Sequence, residues 1–133
     1  MHVQEMIRSH PDARGSELDA LLRCIEQCYS CAQTCVSCAD ACLAEEAAVR
    51  LKQCMRLCLD CADICAVTGA MASRRTGSNE EVLSAVIGAC ETACRVCAQE
   101  CETHGKHHAH CRICGEACRR CEKACKEAAK VIH

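Results

Sequence analysis

Cys24-Ile-Glu-Gln-Cys28-Tyr-Ser-Cys31-Ala-Gln-Thr-Cys35-Val-Ser-Cys38-Ala-Asp-Ala-Cys42 carries six cysteines at alternating steps of four and three. At about 100° per residue, the pitch of an α-helix, these six side chains fall within an arc of roughly 80°. They occupy the a and d positions of a heptad, which normally carry Leu, Ile or Val and bury themselves between helices. The rhythm returns at Cys54, Cys58, Cys61 and Cys65, at Cys90, Cys94, Cys97 and Cys101, and at Cys111, Cys114, Cys118, Cys121 and Cys125. Four stripes predict four helices whose shared seam is made of sulfur.

Outward from the stripes, punctuation sets the boundaries. The expected helices cover about 16–44, 46–72, 79–103 and 107–132 of a single domain spanning residues 1–133. Residues 1–15 form a leading segment, in which Met1 to Ser9 makes two helical turns and Pro11 ends them. Ser16 is the expected N-cap of the first long helix, and Ser78 with Glu81 reads as a capping box for the third. Gly77 and Gly105 break the chain, whereas Glu45 to Ala48 offers neither Gly nor Pro, so that boundary is soft. Connections this short make successive helices antiparallel neighbours. The expected fold is therefore all-α, an up-down-up-down four-helix bundle with a cysteine-lined core.

Composition narrows the class. Cysteine accounts for 19 of 133 residues, Phe and Trp are absent, and Tyr29 is the one aromatic side chain. So much cysteine would ordinarily point to a secreted disulfide scaffold. Three observations oppose that. Met1 to Gly15 is polar, with His2, Glu5, Arg8, His10, Asp12 and Arg14 in place of an apolar secretory core. The cysteine count is odd. Neighbouring thiols on one helix would close only short loops, which stabilise least. Reduced thiols in the cytoplasm are expected. No apolar window approaches the ~20 residues of a membrane span. With 16 Lys and Arg against 18 Asp and Glu, and only the small clusters Arg74-Arg75 and Arg119-Arg120, no nucleic-acid or membrane partner is expected.

One or two buried cysteines would be ordinary small hydrophobes. Nineteen at seam positions sacrifice the burial that Leu or Ile would give, with no structural return. Metal binding is the alternative, and soft thiolates select Cu(I), Zn(II) or iron–sulfur clusters. Sulfurs at i and i+4 approach to about twice a metal–thiolate bond of ~2.3 Å, which suits a two-coordinate ion along the helix and so Cu(I). Charge points the same way. One monovalent ion per thiolate makes a neutral array, which can be buried, whereas isolated zinc on four cysteinates carries two negative charges and no Lys or Arg sits on the stripes.

Several matches are by-products of the spacing. Cys-x-x-x-Cys-x-x-Cys, as at Cys24/Cys28/Cys31, resembles a radical-SAM cluster triplet, but that triplet occurs once, on a loop of a βα barrel. Cys-x-x-Cys pairs lack the βαβ context of thioredoxin-like sites, and the Glu-x-x-His of di-iron bundles is missing. No enzymatic role is expected.

Four helices lined with Cys-x-x-x-Cys and Cys-x-x-Cys over nearly the whole chain resemble the bacterial copper storage proteins. The resemblance implies a homotetrameric four-helix bundle that stores many Cu(I) ions, with the nineteen cysteines as ligands. Exported members carry a twin-arginine signal, which is not seen here, so the chain resembles the cytosolic branch. Exported members also use methionines near the pore mouth, whereas Met55 and Met71 lie off the stripes.

Topology gives the expected mouth. The loops around Glu45 and Gly105 share one end with Cys42, Cys101 and Cys111, while Leu18, Leu21, Met71, Val82, Leu83 and Ile132 gather at the other as a hydrocarbon plug. On ideal helices His107 continues the fourth stripe, His104 lies within roughly 50° of the third, His110 is about 60° off centre and His108 points away. His104, His107 and His110 are thus the candidate ligands beyond the cysteines. His2, His10 and His133 are expected to be exposed. Leu22, Ile25, Leu57, Ile64, Val96 and Ile113 pack the flanks or form an oligomer contact. Uptake would proceed from the histidine end into protonated thiols, to about one copper per cysteine, with a copper chaperone or low-molecular-weight thiol as donor. The rival readings are a zinc or general thiolate buffer and a thiol redox enzyme, which would need one thiol of unusually low pKa.

Overall fold

The computed structural model of the chain describes residues 1–12 and 17–132; Ser16 and His133 lie outside them. The elements are α1 (Val3–Arg8), α2 (Glu17–Ala44), a 3-10 turn (Ala48–Leu51), α3 (Lys52–Ser73), α4 (Glu80–His104) and α5 (Ala109–Ala129). Helices α2 to α5 pack as a closed ring, each against the next and α5 against α2, which is the up-down-up-down arrangement. No strand occurs among the described residues.

The stripes explain why the ring closes. Each helix offers one buried seam, and all four seams meet on the axis, where the sulfurs form one continuous core with the aliphatic cluster of one end and with Leu51 at the other. Helices α4 and α5 lie in contact at Gly115, where a Cβ would stand 3.5 Å from Cys101 Cβ, an ordinary van der Waals distance.

Three boundaries differ from expectation, each for a local reason. The second helix was expected from residue 46. The chain instead tightens through the 3-10 turn, burying Leu51, before α3 begins at Lys52. Ser78 does not cap α4: the N-cap is Asn79, without a side-chain cap bond, and Ser78 donates to the Glu80 carboxylate. Asn79 Nδ2 donates instead to the Met71 carbonyl at 3.2 Å, tying the loop to the end of α3. Gly77 turns that loop at φ 72°, where a side chain would be strained. Finally, α5 starts at Ala109 rather than 107, because the chain leaves the helical path between Gly105 and His108.

The end opposite that turn is sealed. Leu21, Leu22, Ile25, Leu83, Ile87, Ala72 and Ala128 are buried there, with Leu18, Met71 and Ile132 packed against them, whereas Val82 proves 60% exposed and takes no part. Helix α1 adds Ile7 to this cluster. It is held by Arg8–Asp19 at 3.0 Å, by Gln4 Nε2 donating to Glu26, and by His10 bonded to Thr76. His2 is exposed and His10 only partly so. No described helix is long and apolar enough to cross a membrane.

Candidate metal centre

All nineteen cysteines are free, and each is at most 1% exposed. Along single helices the i/i+4 sulfurs stand 4.0 Å apart at Cys24–Cys28, 3.8 Å at Cys31–Cys35 and Cys61–Cys65, and 4.0 Å at Cys97–Cys101. Linear S–Cu–S needs about twice a ~2.3 Å bond, so a modest rotamer adjustment opens each pair to hold an ion.

Between helices the spacing is the same. Cys31 lies 3.7 Å from Cys118 and 4.0 Å from Cys61; Cys58 lies 3.8 Å from Cys101 and Cys114 and 3.7 Å from Cys97. Sulfurs group in fours within 4.8 Å of one another, among them Cys28/Cys90/Cys121/Cys125, Cys31/Cys65/Cys94/Cys121, Cys31/Cys35/Cys61/Cys118, Cys35/Cys97/Cys114/Cys118 and Cys38/Cys54/Cys58/Cys101. These groups share members, since Cys31, Cys35, Cys118 and Cys121 each belong to two. The core is therefore one connected lattice of thiols rather than a set of separate groups, so ions that filled it would share sulfurs.

Two thiols at the open end, Cys42 and Cys111, are held toward the neutral form. Burial pushes Cys42 up to about 11, helped by the nearby charge Cys54 would carry. Burial likewise raises Cys111, with Cys54 and Cys42 adding to it. At these two positions the neutral thiol is favoured, because an isolated thiolate in such surroundings would be poorly solvated.

At the mouth, His110 reaches the thiols. Its Nδ1 lies 3.5 Å from Cys38 Sγ, 3.6 Å from Cys111 and 3.9 Å from Cys42. Its Nε2 donates to Glu45 Oε2 at 2.7 Å. His108, expected to point away, is instead folded in: its Nδ1 lies 3.0 Å from the same Glu45 oxygen, and its ring stacks on His110 with centroids 5.5 Å apart. The Glu45 carboxyl is held below its ordinary value, chiefly by the hydrogen bond from His110. His104 does not face the sulfurs. It bonds Glu100 at 2.8 Å and lines a cleft of about 430 Å³ with Ala47, Arg50, Leu51, His107 and His108. His107 is exposed and does not continue the fourth stripe, because it belongs to the turn before α5.

Residues 17–130 match the family profile described as copper storage protein. The chain belongs to the copper storage protein family. No curated protein sequence matches it significantly. Among solved structures, the copper storage protein of Streptomyces lividans loaded with 10 copper equivalents is 47% identical, with a TM-score of 0.93 over 96% of this chain and 98% of that one. A structure on copper loading of the cytosolic copper storage protein from the same organism, with five coppers, is 49% identical, with a TM-score of 0.86 over 88% of this chain and 98% of that one. In this member of the family, Glu45 and His108 are the mouth residues that periodicity did not select. Glu45 did carry a signal, since it stands three residues beyond Cys42 and continues the four-three rhythm of the first stripe.

Proposed function

We propose that this copper storage protein holds Cu(I) in the cytosol on its nineteen core thiolates, to a capacity of about one ion per sulfur. The observation that carries this reading is the connected lattice of buried thiols, each within about bonding reach of an ion shared with its neighbours. Monovalent copper neutralises such a lattice one thiolate at a time, and among the described residues the core offers no Lys or Arg to compensate a net charge. The ligands are Cys24, Cys28, Cys31, Cys35, Cys38, Cys42, Cys54, Cys58, Cys61, Cys65, Cys90, Cys94, Cys97, Cys101, Cys111, Cys114, Cys118, Cys121 and Cys125, with His110 completing the outermost sites. His104 and His107, which line the cleft outside, are in place to receive incoming ions. The chain catalyses no reaction in this reading.

A homotetramer is supported by an unpartnered apolar stripe on α2, where Val36 is 54% and Leu43 67% exposed in register with the partly exposed Tyr29. These residues recur every seven and therefore share a face. A copper chaperone or a small thiol complex would deliver the metal at the histidine end.

Zinc has one observation in its favour, because four sulfurs within 4.8 Å can surround a tetrahedral ion. The shared members work against it: neighbouring tetrahedra compete for Cys31, Cys35, Cys118 and Cys121. Anaerobic titration decides between the two. Cu(I) should be held to near nineteen equivalents and should displace zinc; a plateau at four or five tightly held Cu(I) ions would defeat the bridged lattice.

A further inference from the structure

Storage uses the sulfurs inside and leaves unexplained a strip of positive charge on the outer face of α5. Two clefts adjoin there and share Arg120. One, of about 640 Å³, lies between α4 and α5 and opens beside Gly105; the other, of about 360 Å³, lies between α5 and α2 and reaches Arg23. Together they gather six cations, Arg23, Lys106, Arg112, Arg119, Arg120 and Lys123, against the carboxylates of Glu102, Glu116 and Glu127. Each carboxylate is already matched, Glu102 by Arg119 at 2.8 Å, Glu116 by Arg112 at 3.3 Å and Glu127 by Arg23 at 3.6 Å. Lys106, Arg120 and Lys123 are exposed and have no ion-pair partner among the described residues. This excess runs against the chain as a whole, whose net charge is −2.

We propose that this groove docks an acidic Cu(I)-donor protein, whose carboxylates engage Lys106, Arg120 and Lys123 while its metal site lies beside the open end of the bundle. The docking surface rests on the storage reading. Its position supports that role, because Gly105 and Lys106 belong to the turn that also carries His107 and His108 of the neighbouring cleft, so a partner seated in the groove reaches the open end without covering it. Its length fits a protein surface. From Arg112 to Lys123 the helix rises about 16 Å, which suits a row of carboxylates better than one small anion. The interspersed Glu102, Glu116 and Glu127 would repel a continuous phosphate backbone, whereas a protein surface of mixed sign can answer both charges. The groove also stays clear of the oligomer contact, since Arg23 and Gln27 lie more than about 100° around α2 from Tyr29, Val36 and Leu43. Charges at such a rim act mainly on encounter, raising the association rate in a way that salt removes. Copper changes hands as Cu(I), so no electron moves, and protons displaced from the accepting thiols pass to the donor's freed thiolates or to solvent.

Anaerobic stopped-flow loading of the full-length apo protein tests the groove with two synthetic donors. Both are Cys-x-x-Cys peptides carrying Cu(I), one with a polyglutamate tail and one with an uncharged Gly-Ser tail. At low ionic strength the acidic donor should load the wild-type chain at least about tenfold faster than the neutral one, and in ~1 M salt, where charges are screened within about 3 Å, the two should converge. Lys106→Glu/Arg120→Glu should abolish the advantage while loading from the neutral donor at the wild-type rate, which shows that fold and metal uptake are intact. Arg74→Glu/Arg75→Glu, with the same change of net charge on the loop before α4, should keep the advantage. Equal rates from the two donors at low salt, or an equal loss in both double variants, overturns the docking surface. So does an oligothymidine that competes with the metal-free acidic peptide for the groove as strongly as that peptide itself, since the partner would then be a polyphosphate. Capacity is read at the plateau of the same loading. A full plateau without a rate advantage defeats the groove alone, whereas a plateau of only a few ions with the advantage intact defeats the storage reading and leaves the acidic docking surface standing.

Discussion

Cys65 stands where the lattice is most densely joined. Its sulfur lies 3.8 Å from Cys61, 3.7 Å from Cys90 and Cys94, and 3.9 Å from Cys121, so it links α3 to both α4 and α5. Cys24, by contrast, sits against the hydrocarbon plug and touches only Cys28 and Cys125, each at 4.0 Å. Removing a bridging sulfur deprives several ions of a ligand at once. Cys65→Ala should therefore lower the anaerobic Cu(I) plateau by two ions or more, and Cys24→Ala by about one; equal losses would mean that the sites do not share sulfurs. A different residue sets the packing of α2 on α3. A Cβ at Gly69 would come within 3.1 Å of two Tyr29 ring carbons, tighter than ordinary contact. Gly69→Val should cost the apo protein roughly 1 to 3 kcal/mol in urea unfolding by overpacking, with Tyr29→Ala recovering part of the loss.

Helix pairing is reinforced at the surface by one chain of charges. Arg119 on α5 donates Nε to Glu102 Oε2 at 2.9 Å and Nη2 to Oε1 at 2.8 Å across to α4, and Nη1 to Glu122 at 3.0 Å. The hydrogen bonds from Arg119 hold the Glu102 carboxyl below its usual range. At Glu122 burial works upward, but Arg119 and Lys126 outweigh it and the carboxyl is lowered as well. Carboxyls depressed on folding stabilise the fold above their unfolded pKa, about 4.3, and the contribution is lost as pH falls through the lower folded value. Solvent screening limits the half-exposed pair to under about 1 kcal/mol. Arg119→Ala should thus destabilise the apo protein in urea at neutral pH, and the difference from wild type should shrink near about pH 3; a difference that persists in acid would rule out an ionic origin. At this scale the sequence was informative wherever the backbone is helical. The cysteine spacing alone predicts the four long helices, which face they bury and which thiols share an end. It failed at His107 and His108 because an angle of about 100° per residue has no meaning through the turn at Gly105, where the helical phase is reset before α5 begins. Likewise, nothing periodic marks a 3-10 turn such as Ala48–Leu51, which is why α3 was expected to begin several residues early.

Taken as a whole, the molecule is an insulated column of thiols with a plug at one end and a polar mouth at the other. Its described core contains no cation other than what it takes up, and its overall net charge is only −2, so neutrality inside must come from the metal itself. Each thiolate formed in that dry interior needs a positive charge beside it, and each proton it loses must leave. If every incoming Cu(I) replaces one proton, the core stays neutral at every stage of filling. Uptake into weakly buffered solution, followed with a pH indicator, should therefore release about one proton per copper from the first addition to the last. Isolated tetrahedral zinc sites would release up to four protons per ion and leave two negative charges at each. A Cu(I) ratio well above one would mean anionic clusters that this core has no Lys or Arg to balance. A ratio that holds near one until about nineteen ions are bound requires that copper and thiolate enter the lattice in equal number, with bridging sulfurs supplying the coordination that one ligand per ion cannot.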